Sequence, residues 1–260
     1  MSIDVLAIRA RLGTLQNQTT KENLLWKPPA GNSVIRIVPY KFNKNNPFIE
    51  LLFHYGLAGK NYLSPVTFGR PDPIIEFSEK LRSTGNKDEY KLSKTLEPKL
   101  RTFAPIIVRG KESEGTKFWG FGKTVYQQLL EVIADPDYGD ITDAANGRDI
   151  AITFKTAEET KKDYPQTTIL VKPNKTRITE DAEVLKKIVD SQKQITEIYK
   201  ELTYDELKVV LEAWLKDPNP KQKTKSDGER TEQKPKQATV VTSAVDLDEK
   251  MKEFDTLFNQ

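Results

Sequence analysis

Between residues 24 and about 177 the apolar residues come in short runs, SVIRIVPY, PFIELLFHYG, LRTFAPIIVRG, GTKFWGFGK, GRDIAITFK and QTTILVKP, separated by Gly, Pro and Asn. Runs of this length suit strands better than helices, and the separating residues are those that make turns. Two stretches carry helical spacing instead: IIEFSEKL, within residues 73–81, and TVYQQLLEVIA, over residues 124–134, which stops at Asp135-Pro136. Short strands with few helices predict a β-rich α+β chain whose core is a small barrel, the five-stranded Greek-key OB fold being the nucleic-acid-binding version.

After residue 179 the apolar period becomes helical, through Val184, Leu185, Ile188 and Val189, then Ile195, Ile198, Tyr199 and Leu202. Thr203 followed three residues later by Glu206 is a capping-box signature, and it opens a helix with Leu207, Val210, Leu211 and Trp214 on one side. These helices are expected to pack on the barrel, giving a core over residues 24–216. Residues 1–23 hold one amphipathic patch, with Arg9 and Arg11, and read as a short arm. Residues 217–238 are nearly devoid of apolar side chains and read as a disordered linker. Residues 239–260 place Leu247, Met251, Phe254 and Phe258 at helical spacing among five acidic residues, the pattern of a tethered partner-binding peptide.

The chain has no cysteine, which excludes disulfides, thiolate nucleophiles and cysteine-ligated metals together. His54 is the only histidine, so histidine-dependent catalysis would rest on that residue alone. No phosphate-binding loop of Walker type occurs. Asp135, Asp137, Asp140 and Asp143 lack the glycine and glutamate of a calcium loop and read as a solvated turn. No apolar run approaches the ~20 residues that span a bilayer, and the N-terminus lacks the order of a signal peptide. The expectation is a soluble cytoplasmic protein without cofactor, metal or catalytic activity.

The net charge is only +3, so a basic face would have to come from uneven distribution. KFWGFGK is the densest pairing of aromatics with cations. Strand alternation sends Trp119, Phe121 and Lys123 to one side, and Phe118, Gly120 and Gly122 to the other. The first side is either an exposed stacking platform or a core strand pointing inward; Lys117 and Tyr126 flank it. Arg36 lies inside VIRIV, where it either snorkels to water or reaches a phosphate. The strand with Lys99, Arg101 and Phe103 ends near Arg109. Lys41 with Lys44, Lys60 with Tyr62, and Lys172 with Lys175 and Arg177 add to a charged rim whose contribution should weaken with salt.

The order VIRIVP, PFIELLFHYG, KNYLSP, RTFAPIIV, GTKFWGFGK with VYQQL, and YDELKVVLEAWL resembles the single-stranded DNA-binding, helix-destabilising proteins of T-even-type bacteriophages, over roughly residues 24–215. The resemblance implies an OB core and a cleft for single-stranded DNA lined by aromatic and basic side chains. It also implies an N-terminal arm for self-association along DNA and a C-terminal tail that recruits replication and recombination proteins in the host cytoplasm. By position it carries DNA contact to Arg36, Phe103, Trp119, Phe121, Lys123 and Tyr126. Two departures stand out. The family's zinc site of one His and three Cys is reduced to His54, so proline-stiffened turns and packing around Phe68, Ile74, Ile75 and Phe77 are expected to replace the metal. The arm's amphipathic patch offers only Arg9 and Arg11 where the family has a basic cluster.

The expected function is therefore non-enzymatic binding and protection of single-stranded DNA in replication, recombination and repair. Two alternatives stand beside it. One is an RNA-preferring OB protein. The other is a non-DNA adaptor with a scaffold core, in which the aromatics would point inward and the cations would scatter.

Overall fold

The computed structural model describes residues 24–216, 254 and 256–258. The expected arm, the linker, and Leu247 and Met251 of the tail lie outside the described residues. Strands run in the order β1 (Leu25–Trp26), β2 (Gly31–Ile37), β3 (Ile49–Leu57), β4 (Lys60–Leu63), β5 (Lys99–Val108), β6 (Lys117–Phe121), β7 (Arg148–Lys155) and β8 (Gln166–Lys175). Helices are α1 (Pro73–Ser83), α2 (Lys87–Leu96), α3 (Lys123–Ala134), α4 (Ala157–Thr160), α5 (Ala182–Asp190) and α6 (Tyr204–Lys216). The chain divides into two compact units, Met1–Ile49 with Thr102–Tyr199, and Glu50–Arg101 with Lys200–Gln260.

The first unit is built on a sheet whose path runs β1-β6-β5-β2-β7-β8. Only the two-residue contact of β1 with β6 is parallel; the pairs along β6, β5, β2, β7 and β8 are antiparallel. Ile35, Arg36, Ile37 and Val38 are all buried, as befits a strand covered on both faces. Ile35 pairs with Val108 on one side and Ile150 on the other, which fixes β2 at the centre. On β7 the buried Ile150 and Ile152 alternate with half-buried Ala151 and Thr153, the period-two signature of a sheet face. Helix α3 begins one residue before the expected start, at Lys123, and buries Val125, Tyr126 and Leu129. The protein is thus mixed α+β, as expected. The sheet path is open from β1 to β8, and a closed OB barrel is a finer statement than these pairings make.

The second unit is smaller and more helical. β3 and β4 form a hairpin with Leu57 opposite Lys60, and the two turn residues, Ala58 and Gly59, have φ of 47° and 75°. Two left-handed residues in succession are what a tight hairpin turn requires. Helix α1 starts where Asp72 accepts a hydrogen bond from the Ile74 amide at 2.9 Å, with Pro73 at its first position. The capping box read from Thr203 and Glu206 is present: the Thr203 amide donates to Glu206 Oε2 at 2.8 Å, and the Glu206 amide donates to Thr203 Oγ1 at 3.2 Å. Ile74, Phe77, Leu81, Leu92, Leu96, Leu207, Leu211, Trp214 and Leu215 make one apolar core.

Candidate nucleic-acid interface

Strand β6 shows the two faces predicted from its alternation, but both are covered. Trp119 and Phe121 share one face and sit in the core with Ala104, Ile106, Val125, Tyr126 and Leu129. Their ring centroids are 4.6 Å apart, and Phe48 packs against both Phe121 and Tyr126. Trp119 is 1% exposed. Half-buried Trp26 meets its edge at 6.1 Å. On the other face Phe118 lies edge-on to Tyr40 at 6.1 Å, and Phe103 packs on Tyr199 at 5.4 Å. An exposed platform of Trp119 and Phe121, with Phe103 and Tyr126 beside it, is not what this conformation presents. The physical reason is that β6 is flanked by β5 and β1 and covered on one face by Phe48 and α3 and on the other by Tyr40. Lys123 does not extend the face, because the strand ends at Phe121 and Lys123 opens α3.

Arg36 neither snorkels nor faces solvent. It is fully buried, donating from Nη2 to the Asp143 carbonyl at 2.6 Å and to the Thr176 carbonyl at 2.9 Å, and from Nη1 to Thr176 Oγ1 at 3.1 Å. Asp149 Oδ1 lies 3.7 Å from Nη1. Burial pushes the Arg36 guanidinium down to about 10, against the pull of Asp149, so the group stays charged at neutral pH. Arg109 joins the same carboxylate, donating from Nε at 3.0 Å and Nη2 at 2.8 Å, and also reaches the Ile178 carbonyl at 2.7 Å. Two arginines and one aspartate therefore tie β2 and β5 to β7 and to the chain after β8. The acidic run behaves as a turn: Asp143 Oδ1 accepts from the Ala145 and Asn146 amides, and Asp135 Oδ1 from the Asp137 amide.

The other cations divide by what they already hold. Lys117 pairs with Glu114, and Lys41 donates from Nζ to the Asp190 carbonyl at 2.8 Å. Lys44, Lys60, Lys99, Lys123 and Lys175 are exposed, and Lys172 half-buried, with no ion pair among the described residues. Lys123 stands at the N-terminus of α3, whose Gly122 cap supplies no side-chain acceptor, so the first-turn amides and the ammonium favour an anion together. Tyr62 is half-buried against the second unit's core, and burial raises its hydroxyl pKa above the ordinary tyrosine value. Arg101 is half-buried.

Phe42, missed in the sequence, is 45% exposed between Lys41 and Lys44, with Lys41 Nζ 5.7 Å from its ring centre and Tyr40 at its edge. Tyr164 repeats the arrangement with Lys162 at 5.7 Å, in the same unit. The available signal was an aromatic bracketed by lysines in a polar loop, which apolar-run reading passes over.

His54 is buried in the second unit. Its Nδ1 is 2.7 Å from the Leu96 carbonyl, and its Nε2 is 2.9 Å from Asp72 Oδ2, which also accepts from Ser64 Oγ at 2.5 Å. Burial alone would raise the Asp72 carboxyl, but the His54 hydrogen bond and charge, with Ser64 and the Ile74 amide, hold it below its ordinary value. Ile74 and Phe77 are buried beside this cluster, Ile75 is half-buried and Phe68 exposed, so Phe68 takes no part in the core. No group of three or more potential metal-ligating side chains occurs among the described residues.

A family model described as gp32 DNA binding protein like matches residues 29–215. No curated protein matches the chain at a significant level.

Proposed function

Because the chain belongs to the gp32 DNA-binding-protein-like family, whose members bind single-stranded DNA in phage replication and recombination and are not enzymes, we propose that it contacts DNA through its unpaired lysines and exposed aromatics. Lys44, Lys123, Lys172 and Lys175 on the first unit and Lys60 and Lys99 on the second take phosphates. Phe42 and Tyr164 offer rings to bases, where stacking is worth on the order of 1 to 3 kcal/mol per base. The observation that carries this assignment is the division of cations: Arg36 and Arg109 are spent on Asp149 and on backbone carbonyls, whereas these lysines hold no carboxylate among the described residues. Charge that is uncommitted within the protein is the charge that releases counterions when it meets a phosphate.

The same proposal includes the OB reading of the first unit, supported by its short antiparallel strands and by the family match. It includes self-association along DNA through residues 1–23 and recruitment of replication and recombination proteins by residues 239–260, in the cytoplasm of a phage host. No helix among the described residues is long and apolar enough to cross a membrane. The inward packing of Trp119, Phe121, Phe103 and Tyr126 is what an adaptor with a scaffold core would show; family membership decides for DNA.

The test is fluorescence anisotropy of labelled oligo(dT) and oligo(U) across a salt series. The expected result is binding whose logarithm falls linearly with the logarithm of salt, tighter for oligo(dT). Affinity indifferent to salt would overturn the lysine assignment, and preference for oligo(U) would favour RNA as the ligand.

A further inference from the structure

Phe254 is 1% exposed and lies inside the second unit's core, among the largest fully buried side chains of the described residues. Its ring is 6.2 Å from that of Phe77 and 4.9 Å from that of Phe258, which in turn lies 6.3 Å from Tyr204. Phe254 and Phe258 are one helical turn apart, so both rings fall on one side. Lys208, on α6, completes the seat. Its Nζ donates to the Phe258 carbonyl at 2.8 Å and stands 5.3 Å and 5.9 Å from the ring centres of Phe258 and Phe254. A cation at the C-terminal end of a helical turn satisfies a carbonyl that has no partner within the turn.

We infer that the second unit carries a docking groove for an acidic peptide with aromatics at i and i+4, and that its resident is the C-terminal segment of the same chain, anchored by Phe254 and Phe258. The choice of resident rests on the segment that occupies the groove and on chain length. Residues 217–253 join Lys216 to Phe254, and at a limit of about 3.3–3.6 Å per residue they reach across far more than one domain. A segment already tethered requires no second encounter from solution.

The consequence concerns regulation. Of the stripe Leu247, Met251, Phe254 and Phe258, the two aromatics are turned into the groove, so a protein that reads this stripe meets it only after release. Two routes to release follow from the contacts: competition for the groove by another acidic aromatic peptide, or loss of the Lys208 contact. This consequence rests on the partner-recruitment reading of the tail; the docking itself does not.

The experiment is hydrogen exchange by mass spectrometry on the full chain. Wild-type protein is compared with F254A/F258A and with K208A, at two concentrations differing at least tenfold, with oligo(dT) binding measured on the same samples. Expected are amides of residues 254–258 exchanging at least about tenfold slower in the wild type than in F254A/F258A, an intermediate rate in K208A, and no change on dilution. K208A removes no core side chain, so it reports on docking if the double variant misfolds. An unprotected wild-type tail, protection unchanged in both variants, or protection lost on dilution, which would mean a tail from a second copy, overturns the inference. Lost DNA binding with a protected tail would instead overturn the DNA reading alone.

Discussion

A Cβ placed on Gly147 would sit 2.4 Å from Arg36 Nη2 and 2.5 Å from the carbonyls of Asp143 and Ile141. The glycine is what allows the guanidinium to lie against the turn and donate to Asp143. Gly147→Ala is therefore expected to destabilise the protein by about 1–3 kcal/mol, the usual cost of forcing atoms into a packed site. Calorimetry checks it; an unchanged midpoint would mean that the Arg36 network has room to move.

Arg36 and Lys123 should separate stability from affinity. Arg36→Met removes a buried charge and leaves Asp149 with Arg109 and the Thr176 hydroxyl, with an expected loss on the order of 3 kcal/mol. Lys123→Ala should leave the melting temperature unaltered and weaken binding to oligo(dT). Urea denaturation and anisotropy on the same two variants give the comparison. A folded Arg36→Met protein of full stability with lost DNA affinity would return Arg36 to the phosphate role that its place in VIRIV suggested.

The lysine assignment makes a quantitative claim about salt. For single strands the salt slope is about 0.7 per neutralised phosphate, so Lys123→Ala, Lys172→Ala and Lys175→Ala combined should flatten it by roughly 2. Anisotropy titrations across a salt series measure this directly. A slope equal to that of the wild type would show that these lysines face no phosphate.

Phe42→Ala tests stacking. Loss of one base–ring contact, on the order of 1–3 kcal/mol, corresponds to weakening by about 5- to 150-fold, with the salt slope retained because no charge is removed. Phe42→Trp should keep the affinity and add a fluorophore quenched by bound oligonucleotide.

Strand and helix content is largely legible in the sequence because period and punctuation report local geometry: α3, α1 and the Thr203–Glu206 cap all fall where spacing places them. Helix α2 does not, although its buried positions, Glu89, Leu92, Ser93 and Leu96, follow helical spacing. Two of these four slots hold polar residues. Glu89 accepts from Thr84 Oγ1, and the Ser93 carbonyl accepts from Ser78 Oγ at 3.0 Å, so the apolar count is halved while the packing is kept. For β6 the two faces are legible and the direction of the core is not. Burial of Trp119 depends on α3, and burial of Phe103 on Tyr199, which lies far along the chain. Phe42 escapes for the opposite reason: its neighbours are polar, so no apolar run draws attention to it, and its bracketing lysines become a signal only once its exposure is seen.

The Asp72 carboxyl gives a pH dependence. Its ordinary value is 3.8 and the folded state holds it lower, so the unfolded chain binds its proton first as pH falls. The stabilisation is complete above the unfolded value and is lost as pH drops through the folded one. Asp72→Asn removes this titration, so its stability should fall less steeply than that of the wild type below about pH 4. Denaturation midpoints from pH 3 to pH 7 measure the difference, and parallel curves would rule out the contribution.

Each compact unit is assembled from two stretches, and the stretches interleave along the chain. During synthesis α1 and α2 leave the ribosome long before α6, the helix that completes their core. Roughly 100 residues separate them, which at about 5–20 residues per second is a wait of ~5–20 s. For that interval Ile74, Phe77 and Leu96 lack the helix that covers them, and the nascent chain depends on chaperones or on speed. Neither unit can be excised as a continuous fragment, so dissection of this protein must proceed by permutation or point substitution, not by truncation.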